Sequence, residues 1–210
     1  SITTFRIENA SFGLFDEQDQ NEFRVVDLDQ NIRFDIPNPE LLNIRGTTSI
    51  SEIWVQSLQM PGISIAMDKD LSVNLATQTL TLNDTTLTIQ DLPIALSGSL
   101  QALENQHLDI DMKLSTEPTS LSSIFALVPA LLNQDWTTQG VFAVDGDIKI
   151  MMDPEDPLTS FEKSKTHINI TLTEGVLENK DMNVRFSPVA METTISPNAV
   201  KLHQLTMKSD

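Results

Sequence analysis

Between Leu92 and Leu132 the chain reads LPIALSGSLQALENQHLDIDMKLSTEPTSLSSIFALVPALL. Apolar and polar residues alternate there with a period of two, first through Ile94, Leu96 and Leu100, then through Leu108, Ile110, Met112 and Leu114. Successive side chains of an extended strand point to opposite faces, so the pattern specifies two strands with one wet and one apolar face. The short polar turn between them makes them neighbours. An apolar sheet face must be covered by something, and this requirement constrains every fold open to the chain.

The same period recurs on both sides of this stretch. Ile32, Phe34 and Ile36 alternate with Arg33 and Asp35 until Pro37 and Pro39, which lack a ladder donor, interrupt the pattern. Ile63, Ile65 and Met67 alternate next, then Leu71, Val73 and Leu75, then Leu80 and Leu82, then Leu87 and Ile89. Polar clusters at Asp68-Lys69-Asp70, Ala76-Thr77-Gln78 and Asn83-Asp84-Thr85 read as turns between them. In the second half, Phe142, Val144, Ile148 and Ile150 share a side, followed by Ile168, Ile170 and Leu172. Met182, Val184 and Phe186, then Val189, Met191 and Ile195, then Val200, Leu202, Leu205 and Met207 continue the series. Turns are expected at Glu174-Gly175 and Asn179-Lys180-Asp181. Residues 40–62 are the least regular part, and a loop, a short edge strand or a short helical turn is expected there. Strand-like runs of this kind, without alternating helices, predict an antiparallel meander rather than a parallel α/β fold.

One segment departs from period two. After Pro118, Leu121, Ile124, Phe125 and Val128 recur at helical spacing, Thr119 or Ser120 stands where a cap would, and Pro129 interrupts the run. The spacing predicts one short helix near residues 119–133, placed to close one end of the β core.

Composition narrows the classes of partner. Thirty acidic residues against 13 basic ones give a formal net charge of −17. Such a field repels phosphate backbones and anionic membrane surfaces, so no nucleic-acid partner is expected. The chain has no cysteine, hence no disulfides or thiolate metal sites, and no apolar run near the roughly 20 residues of a membrane helix. It also has no tyrosine and only two tryptophans, so its apolar surface is aliphatic and ill suited to stacking sugars.

No constellation of catalytic residues emerges. His107, His167 and His203 are far apart, and none has a second histidine at metal spacing. Asp109 and Asp111 fall on the wet side of their strand as solvated carboxylates. Asp145, Asp147, Asp153, Glu155 and Asp156 lack the ligand order of an EF-hand. Ser97-Gly98-Ser99 is not a nucleophile elbow, and no glycine-rich phosphate loop occurs. The expectation is a protein that is not an enzyme and uses no cofactor and no metal.

Several pieces carry a resemblance. They are the opening Ile7-Glu8-Asn9-Ala10-Ser11-Phe12, the strand Leu92-Pro93-Ile94-Ala95-Leu96-Ser97-Gly98-Ser99, and the strand Leu108 to Leu114. The helix ending Leu127-Val128-Pro129-Ala130 and the glycine-led Gly140-Val141-Phe142-Ala143-Val144-Asp145-Gly146 follow in order. Together they resemble the AsmA-like family of bacterial envelope proteins, most closely over residues 1 to 150. The resemblance implies a single AsmA-like β domain over residues 1–210, an excerpt of a longer membrane-anchored protein on the periplasmic side of the bacterial inner membrane. It implies an architecture similar to bridge-like lipid-transfer proteins and a role in outer-membrane assembly or lipid homeostasis. Envelope proteins would be further partners, and membrane association would run through segments absent from this chain. The family brings no catalytic residues.

The expected fold is therefore mainly β: a long, strongly curved antiparallel meandering sheet, β-groove or sandwich-like, with the one short helix. Its candidate lining is Ile94, Leu96, Leu108, Ile110, Met112 and Leu114, continued by Phe142, Val144, Ile168 and Ile170. Lipid or phospholipid acyl chains suit such a lining, since burial is worth about 0.8 kcal/mol per CH2. The alternative is a structural or adhesive β-sandwich whose apolar faces close on each other, with partner binding in its loops.

Overall fold

The structure, a computed structural model, describes residues 2–16, 21–55, 62–103, 107–126, 136–180 and 182–209. Strand β1 (Ile2–Asp16) pairs with β2 (Asn21–Asn38). Next come β3 (Leu41–Val55), β4 (Ile63–Asn74), β5 (Thr79–Ile89), β6 (Leu92–Ala102) and β7 (Leu108–Ser115), each antiparallel to the strand before it. The two-residue β8 (Thr119–Ser120) and helix α1 (Leu121–Ala126) interrupt the meander. Strand β9 (Trp136–Met152) then returns beside β7 and also pairs with β8. Helix α2 (Pro157–Glu162) precedes β10 (His167–Asn179), β11 (Val184–Ser196) and β12 (Ala199–Ser209). All twelve strands form one sheet, ordered β1 to β7 and then β9 to β12, with β8 alongside β9. The sheet is open, with β1 and β12 at its edges. This is the antiparallel meander that the alternation predicts.

Several strands are longer than their hydrophobic runs because bulges carry them through polar stretches. Between β1 and β2 the register shifts near Asn9 and Asp27, which take left-handed φ of 52° and 51°. Asparagine and aspartate tolerate that region better than most residues. Local side chains complete the hydrogen bonding: the Asn9 N–H donates to Asp29 Oδ1 at 2.8 Å and the Asp27 N–H to Ser11 Oγ at 3.0 Å. Each bulge adds a residue on one strand and increases local twist, so the sheet is bent at many points.

Four sequence-based expectations are overturned. Leu41–Val55, within the segment expected to be irregular, is a central strand paired on both sides. Its apolar side runs through Leu42, Ile44, Gly46, Thr48 and Ile50, then switches parity to Ile53. Glycine, threonine and the parity switch erased the signature. Asp68-Lys69-Asp70 lies inside β4, and Asn83-Asp84-Thr85 inside β5, where a shift between Leu82 and Thr85 absorbs the extra residue. Glu174-Gly175 is a bulge within β10. By contrast, Ala76-Thr77-Gln78 is a turn as expected, and Asn74 Oδ1 accepts the Ala76 and Thr77 N–H groups. Met182, expected to open a strand, sits in the turn before β11.

The helices also differ from expectation. Thr119 and Ser120 are strand, and α1 begins only at Leu121, where Ser120 Oγ accepts the Ser122 N–H at 3.3 Å. Residues 127–133 of the expected helix lie outside the described residues. A second helix, α2, is an addition. Asp156 caps it by accepting the Thr159 N–H at 3.3 Å, and Pro157 stands in its first turn, where a missing N–H costs nothing.

Little of the molecule is fully buried. Among the described residues seven hydrophobic side chains are buried, and three of them, Leu121 of α1, Leu172 of β10 and Val189 of β11, form one cluster. Phe142, Leu177, Phe186 and Met191 pack around it. Helix α1 therefore packs on the β9–β11 region. The accessible surface is 13406 Å². A compact monomer of this mass would expose roughly 9,700 Å². A sheet that no second layer covers among the described residues accounts for a surface of this size.

Candidate functional site

Strand register decides which side chains share a face. Leu96 stands opposite Leu114, Gly98 opposite Met112, Leu100 opposite Ile110 and Ala102 opposite Leu108. Across the next boundary Met112 meets Ile148 and Ile110 meets Ile150. Further on, Val144 meets Ile170 and Gly146 meets Ile168, with Phe142 opposite Leu172. Ile94 continues the row the other way by meeting Leu87. All ten candidate lining residues thus lie on one face of one sheet, and all are half-buried. Beyond them the same face runs through Leu80, Val73 and Leu42, and through Leu82, Leu71, Ile44 and Phe34.

The opposite face is wet. Along β7, Asp109, Asp111 and Lys113 are exposed between half-buried aliphatic neighbours. Asp111 pairs with Lys149 of β9 at 3.0 Å, and this hydrogen bond raises the Lys149 pKa. Asp145 accepts from Asn169 at 3.1 Å on the same side. Asp153 and Asp156 serve the loop and the start of α2 as backbone acceptors. The histidines are scattered: His107 is 3.7 Å from Asp153, the His167 ring contacts Thr166 O, and His203 contacts Thr194 Oγ1. Among the described residues no three His, Asp or Glu side chains group as metal ligands would.

Across β2 to β5 the apolar face carries a polar intrusion. Gln30 of β2 stands opposite Thr48 of β3, and Thr85 of β5 opposite Lys69 of β4. Lys69 is two residues along from Met67, the partner of Thr48, so all four share the aliphatic face. Lys69 Nζ donates to Thr48 Oγ1 at 2.6 Å, and Gln30 Nε2 donates to the same oxygen at 3.3 Å. No carboxylate among the described residues lies within ion-pair distance of Lys69. Asp68 and Asp70 flank it in sequence but project to the wet face, where Asp70 holds Arg45 at 2.9 Å. Burial accordingly pushes the Lys69 ammonium below its ordinary pKa. Thr85 is 1% exposed, and its Oγ1 is the buried side-chain polar atom left without a hydrogen-bond partner among the described residues.

The pairings from β2 to β12 place no other Asp, Glu, Lys or Arg among the aliphatic positions of this face in the described residues. The cluster was readable in the sequence: parity carried on from Ile63, Ile65 and Met67 puts Lys69 on the apolar side. Reading residues 68–70 as a turn hid it. No family model, curated protein or solved structure matches the chain.

Proposed function

We propose that this is a non-enzymatic envelope protein of the AsmA-like kind, working on the periplasmic side of the bacterial inner membrane. Its aliphatic β-groove binds or conducts lipid acyl chains in support of outer-membrane assembly or lipid homeostasis. The observation that carries the reading is one aliphatic face, continuous across the sheet, that no second layer covers among the described residues. Acyl chains match it because they need no directional partners. A face of half-buried Leu, Ile, Val and Met offers them contact along its whole length. The closed-sandwich alternative needs a second sheet, and every described strand belongs to the first.

Native mass spectrometry with solvent extraction tests this directly. Stoichiometric co-purified lipid is expected, and a lipid-free protein that also fails to take up added lipid would sink the reading. Replacing Ile110 or Ile170 by Asp should abolish lipid uptake while the strand signal in circular dichroism persists. Loss of folding instead would mark a closed core.

A further inference from the structure

We propose that Lys69 is the headgroup anchor of the groove, and that the lipid it selects is a fatty acid held by its carboxylate. This rests on the lipid-groove reading above and deepens it by naming the ligand class.

A lysine among aliphatic side chains is costly unless something compensates its charge. Here the described residues supply one neutral acceptor, Thr48 Oγ1, which Gln30 already engages. The carboxylates beside Lys69 in sequence point the other way, and Asp70 is taken by Arg45. Thr85 stands directly opposite Lys69 with a hydroxyl that has no partner among the described residues. Among the described residues this leaves an ammonium without a counter-ion beside a donor without an acceptor, and both lack the same thing. A carboxylate supplies it, one oxygen for the ammonium and the other for the Thr85 O–H. That hydroxyl is closed off from solvent, so the side chains around it must shift to admit the second oxygen.

The surroundings select among lipids. Along β4, Ile65 and Met67 lie on one side of Lys69 and Leu71 and Val73 on the other, so a chain leaving the cluster in either direction meets aliphatic surface. A zwitterionic headgroup would bring a second, positive charge, and this face offers no acid to meet it among the described residues of β2 to β12. A multiply charged headgroup would face a chain of net charge −17 with a single ammonium to offset it. One negative charge on a compact head, joined to an aliphatic chain, fits both limits.

The test uses delipidated protein and two probes of equal chain length, hexadecanoate and its uncharged methyl ester, measured by calorimetry. The wild type should bind hexadecanoate roughly tenfold or more tightly than the ester, the range of a charge-assisted hydrogen bond. Lys69→Met should lose that preference by losing hexadecanoate affinity while ester affinity stays. Lys69→Arg should recover part of it. Thr85→Val, nearly isosteric, should weaken hexadecanoate alone, and it serves as the second reading if Lys69→Met does not fold. Equal binding of both probes by the wild type, or a preference that survives in Lys69→Met and Thr85→Val, overturns the anchor and leaves the groove standing. Failure of the wild type to bind either probe overturns the groove reading and the anchor with it.

Discussion

Lys69 makes a prediction that needs no ligand. Its folded-state pKa is depressed by burial, so the unfolded chain binds its proton more readily than the folded one. The cost is fully present below the folded pKa. It fades as pH rises through the window between that value and the ordinary 10.5, so stability gains with pH across this window. Lys69→Met should therefore melt higher than the wild type at neutral pH, and the gap should narrow as pH approaches 10.5. A gap that widens with pH would contradict the assignment of a half-buried ammonium that no described carboxylate pairs. At this scale the sequence was misleading for a physical reason. Three consecutive charged or polar residues read as a turn, but Asp70 pairs across strands with Arg45 while Lys69 turns inward. Each residue of the triplet is explained by its cross-strand neighbour, and that neighbour is invisible without the register.

At the scale of elements, alternation transmitted reliably wherever the pleat ran undisturbed. β6, β7 and the Gly146–Ile150 part of β9 lie where Leu96, Ile110 and Ile148 place them, and all ten candidate lining residues share a face because of it. What was lost sits at bulges and at glycines. Gly46 and Gly98 occupy strand positions with φ of 142° and 134°. A Cβ at Gly98 would come within 2.1 Å of Asp111 O on the paired strand, and one at Gly46 within 1.9 Å of Asn31 O. These glycines let the paired backbone approach closely, a use of glycine that periodicity does not register. Gly98→Ala should lower stability by about 1–3 kcal/mol in denaturant titrations, the cost of backbone strain of this kind, and steric repair adds to it. A neutral effect would mean that the β6–β7 pairing is looser than the register implies. Helix α2 was legible in Asp156-Pro157 followed by Thr159, a capping residue and a first-turn proline, but six residues are too few to show a helical apolar period.

For the whole molecule, a net charge of −17 sits on a single layer whose wet face holds most of its charges. Self-repulsion then opposes the folded state at low ionic strength. Raising salt from about 0.01 to 0.15 M shortens the screening length from about 30 to 8 Å. The melting temperature should rise over that range. A fall would mean that ion pairs such as Lys149–Asp111 outweigh the repulsion. The strand order carries one more consequence. Apart from the β8–α1 excursion, each described strand pairs with its neighbours along the chain, so among the described residues no other hydrogen-bonded ladder joins distant parts of the sequence. Inserting one more hairpin between any two neighbours keeps every other pair antiparallel and in phase, and widens the sheet by about 10 Å, twice the interstrand spacing. The reach of such a surface is therefore a quantity that evolution can alter by duplication, in steps of two strands, without redesigning what is already built.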